Sequence, residues 1–302
     1  MQRLNEKFAL DGEDHHLCVV QGKGGMPVID IRNRFATAFI SLQGAHVLSW
    51  TPEGQDDVLW LSEEARFAPG KSVRGGIPIC WPWFGAHSSN SSLPSHGLAR
   101  TAMWEILGTQ EREDGSTRIT FTLTPQPGNE QLWPAHTTLQ YMVTIGKTLE
   151  MELVTSNNGA DDITIGQALH TYFSIGNVDS VSLHGLDNDS YLDKLEGFAR
   201  KHQRGPVIIQ GEVDRVYIDT VDECVIEDKS LERTITINKR GSHSTVVWNP
   251  WKETAEKLGD MGEEGYKKML CVETCNAADD VVTIAPGKAH HLWVQYQVSN
   301  TQ

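Results

Sequence analysis

Side chains along this chain alternate between apolar and polar with a period of two, and that pattern constrains the fold more than any other feature. Ile119, Phe121 and Leu123 are interleaved with Thr120, Thr122 and Thr124, and Leu149, Met151 and Leu153 with Glu150 and Glu152. Ile235 and Ile237 sit between Thr234, Thr236 and Asn238; Leu292, Val294, Tyr296 and Val298 alternate with Trp293, Gln295 and Gln297. Successive side chains of a strand point to opposite faces, so each segment offers one face to a core and one to a wetter side. Runs of β-branched and aromatic residues predict further strands at 36–42, 45–51, 57–61, 137–146, 163–174, 178–184, 206–210, 222–227, 243–248, 269–275 and 281–285. Turn formers punctuate them at Glu113-Asp114-Gly115, Asn157-Asn158-Gly159, Leu186-Asp187-Asn188 and Pro286-Gly287. Helical patterns are few: a short turn over 129–132, and one short helix from Trp251 to Leu258, stopped by Gly259. Many short strands with hardly any helix predict an all-β fold, a large antiparallel sandwich or barrel. No repeat, low-complexity tract or linker interrupts the chain, so residues 1–302 read as a single domain.

A chain this long buries a large core without staples. Its formal net charge of −14 repels nucleic acid and anionic lipid, and neither is expected as a partner. The same field repels a phosphorylated metabolite, so a substrate of that kind demands a local cationic pocket. The five cysteines, Cys18, Cys80, Cys224, Cys271 and Cys275, form no disulfide framework and point to a reducing, cytoplasmic compartment. Cys271 and Cys275 have a C-x-x-x-C spacing, but no second Cys/His pair matches it, and no metal is expected. The stretch Met1 to Leu10 lacks the apolar run and small-residue cleavage site of a signal peptide. No segment reaches the ~18 apolar residues of a membrane span. The Asn-x-Ser triplets at Asn90 and Asn188 then carry no glycosylation meaning. Nothing in the strand pattern compels a dimer, and a monomer is expected.

Four segments interrupt the strand pattern with chemically useful residues. The first runs from Val73 through Arg74-Gly75-Gly76-Ile77-Pro78 to Trp81-Pro82-Trp83-Phe84-Gly85. Glycine and proline shape it as a loop, Trp81, Trp83 and Phe84 offer flat faces for a sugar ring, and Arg74 offers a permanently charged fork. The competing reading is a packed aromatic corner with Arg74 on the surface. The second is Ser95-His96-Gly97-Leu98-Ala99-Arg100, followed by Trp104. Here His96 could donate to a sugar hydroxyl and Arg100 could be a second cationic arm; a turn histidine is the bland alternative. The third is Gln167-Ala168-Leu169-His170-Thr171-Tyr172-Phe173. In a strand, Ala168, His170 and Tyr172 share one face, and burial could hold His170 in a range useful for proton transfer. By itself a satisfied core histidine is the simpler reading. The fourth is Met269-Leu270-Cys271-Val272-Glu273-Thr274-Cys275-Asn276. Glu273 shares a strand face with two soft thiols, which raises its pKa and suits a general base or acid. Its alternative is an edge-strand glutamate facing water.

In this order, R-G-G-I-P, H-G-L-A-R with a following Trp, a strand His, D-R-V-Y and V-E-T-C-N resemble the glucose-6-phosphate 1-epimerase family, a branch of the aldose 1-epimerase-like proteins. The resemblance covers about Phe35 to Val298. It implies a galactose-mutarotase-like supersandwich of two large antiparallel sheets, with an open cleft and no cofactor. It implies a hexose 6-phosphate as substrate. Matched by motif, His170 and Glu273 fall on the family's catalytic residues, Arg74 and Arg100 on its substrate-binding arginines, and Asp214 on a substrate-binding aspartate. Ser95 stands where some members carry Gln, so one hydrogen bond to substrate differs. Lys71 is a candidate third charge. The implied reaction interconverts α and β anomers. The ring opens when the C1 hydroxyl loses a proton to Glu273 while protonated His170 gives one to the ring oxygen.

Three other readings stay open on the residues alone. An aldose 1-epimerase for unphosphorylated sugars needs the same His/Glu pair without the arginines. A non-catalytic carbohydrate-binding protein suits the nine tryptophans but has no use for that pair. A glycosidase needs two carboxylates flanking a bond, and Asp214 with Glu273 could supply them.

Overall fold

The computed structural model describes residues 1–125 and 128–301. The described residues contain two α-helices, Gln2–Phe8 and Trp251–Leu258; the remaining regular structure is strands and short 3-10 turns. The all-β expectation holds. A nine-stranded sheet runs in the order Val207–Ile208, Val181–His184, Cys224–Asp228, Arg233–Arg240, Ala289–Asn300, Thr148–Asn157, Thr137–Ile145, Thr117–Leu123 and Glu105–Glu111. Its register places Met151 between Val294 and Val143, and Leu153 between Leu292 and Tyr141. Apolar side chains therefore stack row by row on one face, and a slip of one residue would turn every row toward water.

A second, eight-stranded sheet holds Ala199–His202, Ser190–Asp193, Val213–Ile218, Ser244–Asn249, Met269–Asn276, Gln167–Leu169 and Ile79–Cys80 in that order. Tyr172–Ser174 pairs further along Met269–Asn276. One face of this sheet gives Leu169, Phe173, Val247, Leu270 and Val272 to a core shared with Leu153, Leu292 and Tyr296 of the nine-stranded sheet. Each fully buried aliphatic side chain there contributes about 2 kcal/mol. Thr171 Oγ1 meets the Tyr296 hydroxyl at 2.5 Å, and Phe173 packs edge-on against the same ring. The other face carries Cys80, Ala168, Val216, Val246 and Cys275 in one smaller cluster and Tyr172, Met269 and Cys271 in another. A five-stranded sheet built from Leu10–Asp11, His15–Gln21, Pro27–Asn33, Ala36–Ser41 and His46–Pro52 extends the molecule at its N-terminal end.

The helix Trp251–Leu258 ends as expected at Gly259, whose φ of 67° closes it in the left-handed region. Several strands differ from expectation. Residues 57–61 are buried at Val58, Leu59 and Trp60 but form only isolated bridges, Leu59 to Phe173 and Leu61 to Gly75. Apolar content marked burial there, not pairing. The run 163–174 is three strands, Ile163–Ile165, Gln167–Leu169 and Tyr172–Ser174, and the run 178–184 opens with the 3-10 turn Val178–Ser180. Strands at His15–Gln21, Pro27–Asn33, Glu105–Glu111 and Val213–Ile218, and the helix Gln2–Phe8, lay outside the sequence expectation.

Candidate active site

Met269–Asn276 lies in the interior of the eight-stranded sheet, and all eight of its residues are buried. Alternation sends Leu270 and Val272 to the main core and Cys271, Glu273 and Cys275 to the opposite face. Glu273 is 1% exposed, so the water-facing edge glutamate is excluded. The neighbouring strand pairs Gln167 with Asn276 and, after a lapse, Tyr172 with Cys271. The register is the same on both sides of that lapse, which brings His170 opposite Glu273. Within the lapse the Thr171 N–H donates to the Leu169 carbonyl at 2.9 Å, while the His170 N–H continues the ladder on the other side, to the Pro78 carbonyl at 3.0 Å.

The two side chains meet: His170 Nε2 lies 3.3 Å from Glu273 Oε1. Burial holds the Glu273 carboxyl well above its ordinary value, with Lys194 drawing it back and Asp214 pushing it further. Burial also holds the His170 imidazole well below its ordinary value, reinforced by His96 and Arg100. Both shifts favour the uncharged forms, so the free pair holds a single proton between them. His170 Nδ1 and Glu273 Oε2 are buried with no hydrogen-bond partner among the described residues. Such atoms are costly to leave bare, and a polar ligand relieves them. Tyr172 stacks on the His170 ring at 4.9 Å and 15°, and Trp248 meets it edge-on at 6.0 Å.

The pair opens into a pocket of about 300 Å³ lined also by Arg74, Phe84, Ser95, His96, Arg100 and Asp214. The expected catalytic and substrate-binding residues His170, Glu273, Arg74, Ser95, His96, Arg100 and Asp214 thus all line one pocket. Its volume sits at the small end for ligand sites, roughly 300–1,000 Å³, and suits one sugar ring. Arg74 is fixed by two bonds, Nε to Asp260 Oδ1 and Nη1 to the Tyr172 hydroxyl, both 3.0 Å. Its loop turns on Gly75 and Gly76, and His46 Nε2 braces it at 2.7 Å from the Gly75 carbonyl. Arg100 donates to the Ser95 carbonyl at 2.7 Å, so Ser95 supports the arginine through its backbone. His96 Nδ1 accepts from the Gly85 N–H at 3.3 Å.

Two expectations need correction. Lys71 is exposed and does not line the pocket. The third cation is Lys194, whose Nζ lies 2.7 Å from Asp214 Oδ2. Of the three loop aromatics only Phe84 lines the pocket. Trp81 is fully buried, donates to Thr155 and packs on Trp133, while Trp83 borders a separate hollow of about 500 Å³. Trp248 supplies the aromatic wall instead. Lys194, Trp248 and Asp260 carried no signal in sequence, because each matters only through a partner distant along the chain.

The nearest approach to a metal-ligand set among the described residues is His170, Cys271 and Glu273, with ligand atoms within 4.8 Å of one another. Burial drives the Cys271 thiol well above its ordinary value, as it does the Glu273 carboxyl. A cation would have to displace protons from both.

Comparison with known proteins agrees with this architecture. The chain is 38% identical over 255 residues to a protein of Escherichia coli K12 named "Putative glucose-6-phosphate 1-epimerase", covering 84% of each. It is 32% identical over 280 residues to a protein of the same name from Cenchrus ciliaris, covering 89% of this chain and 84% of that one. A crystal structure from Salmonella typhimurium, described as a "putative mutarotase", superposes with a TM-score of 0.87 at 31% identity over 99% of both chains. Residues 27–297 match the family model described as Aldose 1-epimerase. With its all-β architecture and these relatives, the chain is an epimerase acting on hexoses, and it belongs to the aldose 1-epimerase family.

Proposed function

We propose that the chain interconverts the α and β anomers of a hexose 6-phosphate, glucose 6-phosphate foremost. One observation carries the reading: a buried imidazole and a buried carboxyl 3.3 Å apart at the floor of a sugar-sized pocket that also holds Arg74 and Arg100. The names of the relatives quoted above support the choice of sugar.

The neutral pair and the ion pair contain the same number of protons and differ only in which partner holds the proton. A bound hemiacetal, with polar groups around it, favours the charged arrangement. Glu273 as carboxylate takes the proton from O1, and His170 as imidazolium gives its proton to the ring oxygen. The C1–O5 bond breaks, the C1=O bond of the aldehyde forms, and rotation about C1–C2 offers the other face for closure. In closure the 5-hydroxyl attacks C1, the protons return, and the pair is restored without a covalent intermediate. Each positioned acid or base contributes roughly 100- to 10,000-fold.

Asp214 presents a buried oxygen, Oδ1, with no partner among the described residues, and it orients ring hydroxyls. Phosphate is carried on O6, and its C6 arm leaves C5 beside the ring oxygen, hence on the His170 side. Arg100 bears on both members of the pair and Arg74 on His170, and a clamp of two arginines suits phosphate. Together they give the local cationic site that the net charge of −14 requires.

The test follows the approach of pure α-glucose 6-phosphate to anomeric equilibrium by polarimetry or NMR exchange, with glucose as control. Wild type speeds the phosphorylated sugar, and Glu273→Gln and His170→Ala each lose about 100-fold or more. Equal action on glucose would move the assignment to unphosphorylated aldoses. Action on neither sugar would leave a carbohydrate-binding role.

A further inference from the structure

The sheet register delivers one residue to the site that the reaction above leaves without a part. Ser190–Asp193 pairs with Val213–Ile218 so that Asp193 faces Arg215. The next residue, Lys194, therefore comes abreast of Asp214, and their charged atoms stand 2.7 Å apart. The Lys194 backbone is held there: Asp193 caps the turn Lys194–Glu196 through the Leu195 N–H, and Gly197 closes it in the left-handed region. Lys194 and Asp214 are 27% and 19% exposed, and both line the pocket of Glu273. One carboxylate oxygen of Asp214 is taken by the ammonium; the other is buried and bare.

The three cations of the pocket do not act alike. Arg74 and Arg100 bear on His170, while Glu273 feels Lys194 foremost and Arg100 after it. We propose that Lys194 is a positioning residue for epimerisation: it holds Asp214 ionised with its free oxygen toward the sugar, and it biases the neighbouring Glu273 toward the carboxylate that takes the O1 proton. The role is distinct from phosphate binding, and it rests on the acid–base reading above.

Other groups around Glu273 are accounted for. His170 and Tyr172 face it from one neighbouring strand, Cys80 from the next, and Cys271 and Cys275 flank it on its own strand. Tyr296 lies beneath, His96 and the two arginines across the pocket. Burial keeps the three thiols and both phenols protonated, so none supplies a countercharge. Lys194 is the cation paired with Asp214 and the foremost one acting on Glu273.

The experiment compares wild type, Lys194→Met and Lys194→Arg as full-length proteins. Three readouts are taken: the pH profile of kcat/KM for glucose 6-phosphate, inhibition by inorganic phosphate, and the infrared band of the protonated Glu273 carboxyl, identified by its loss in Glu273→Gln. Lys194→Met is expected to lower kcat/KM roughly 30-fold or more, as removal of one member of a partly buried charge pair does. It also moves the profile and the disappearance of the carboxyl band to higher pH, while phosphate inhibition changes less than about threefold. Lys194→Arg restores most of the rate. A loss seen mainly as weakened phosphate inhibition, with profile and band unmoved, overturns the inference and makes Lys194 a phosphate ligand. A rate loss with all pH behaviour unchanged also overturns it. If wild type speeds neither sugar, the acid–base reading falls separately, and the band alone decides: a shift supports the role of Lys194, and its absence removes it.

Discussion

A single backbone contact fixes the chemistry of His96. Burial, with Arg100, Lys194 and Arg74 nearby, lowers its pKa to about 3, so the ring is neutral at any working pH. Its Nδ1 accepts the Gly85 N–H, and the one proton of a neutral imidazole then sits on Nε2 as a donor. His96→Phe keeps the edge contacts to Phe84 and His170 and removes that donor together with the acceptor of the Gly85 N–H. The expected result is a KM for the phosphorylated sugar raised about tenfold, the worth of one hydrogen bond. The pH profile keeps its limbs, because His96 does not titrate within it; an altered limb would contradict the assignment. At this scale the sequence was informative about residue type and silent about partner. Ser95-His96-Gly97 could be read as a candidate donor in a turn, and His96 does have a φ of 66°. Its tautomer depends on Gly85, eleven positions back, and the state of Arg74 depends on Asp260, far along the chain.

The loop that carries Arg74 works because two glycines let other backbones pass close by. Gly76 has a φ of 62°, and a Cβ there would lie 2.4 Å from the Val47 carbonyl and 2.7 Å from His46 Nε2. Gly76→Ala is expected to cost about 2–4 kcal/mol, read as a lower urea midpoint with unchanged m-value. A loss under about 0.5 kcal/mol would mean that the loop yields and does not hold Arg74 rigidly. The glycine pair was legible in sequence as a shaped loop, but the brace from His46 was not, since 29 residues separate it from Gly75. The strand lapse at His170 was hidden for a related reason. Periodicity gives the faces of Ala168, Leu169, Tyr172 and Phe173 correctly, and it cannot show that the Thr171 N–H leaves the ladder for the Leu169 carbonyl. The strand bearing Asp214 was recognised as a motif, while its two adjacent charges masked it as a strand.

Over the whole molecule, buried ionisable groups of opposite kinds set the response to pH. His46, fully buried, has its pKa lowered to about 4 by desolvation. Stability from this group is present above the unfolded value near 6.5 and is lost as pH falls toward 4. Asp57, also desolvated, is raised to about 6; its contribution is complete below about 4 and is lost as pH rises through 6. The two slopes oppose each other in the same window. In Asp57→Asn, stability relative to wild type should climb by roughly 3 kcal/mol between pH 4 and 7. In His46→Gln, the relative stability should climb by a similar amount as pH falls from 7 to 4, offset by a constant loss from the altered brace. Urea titrations at four pH values check both, and parallel pH curves for variant and wild type would refute the assigned pKa shifts. The all-β class was legible at this scale because alternation is local. These two groups were not, since burial is a property of the packed sheets.

The contact between His170 and Glu273 has a consequence for what the site ignores. At 3.3 Å the donor and the acceptor discharge into each other, and the resting site is a closed circuit. On the proposed reaction, a substrate must offer a proton and receive one at two oxygens on the same carbon to splice itself into that loop. Water and simple alcohols lack the second oxygen. A glycoside has both oxygens but no proton on the outer one. On that reaction, selectivity for a free hemiacetal follows from two groups that must exchange protons with one ligand together.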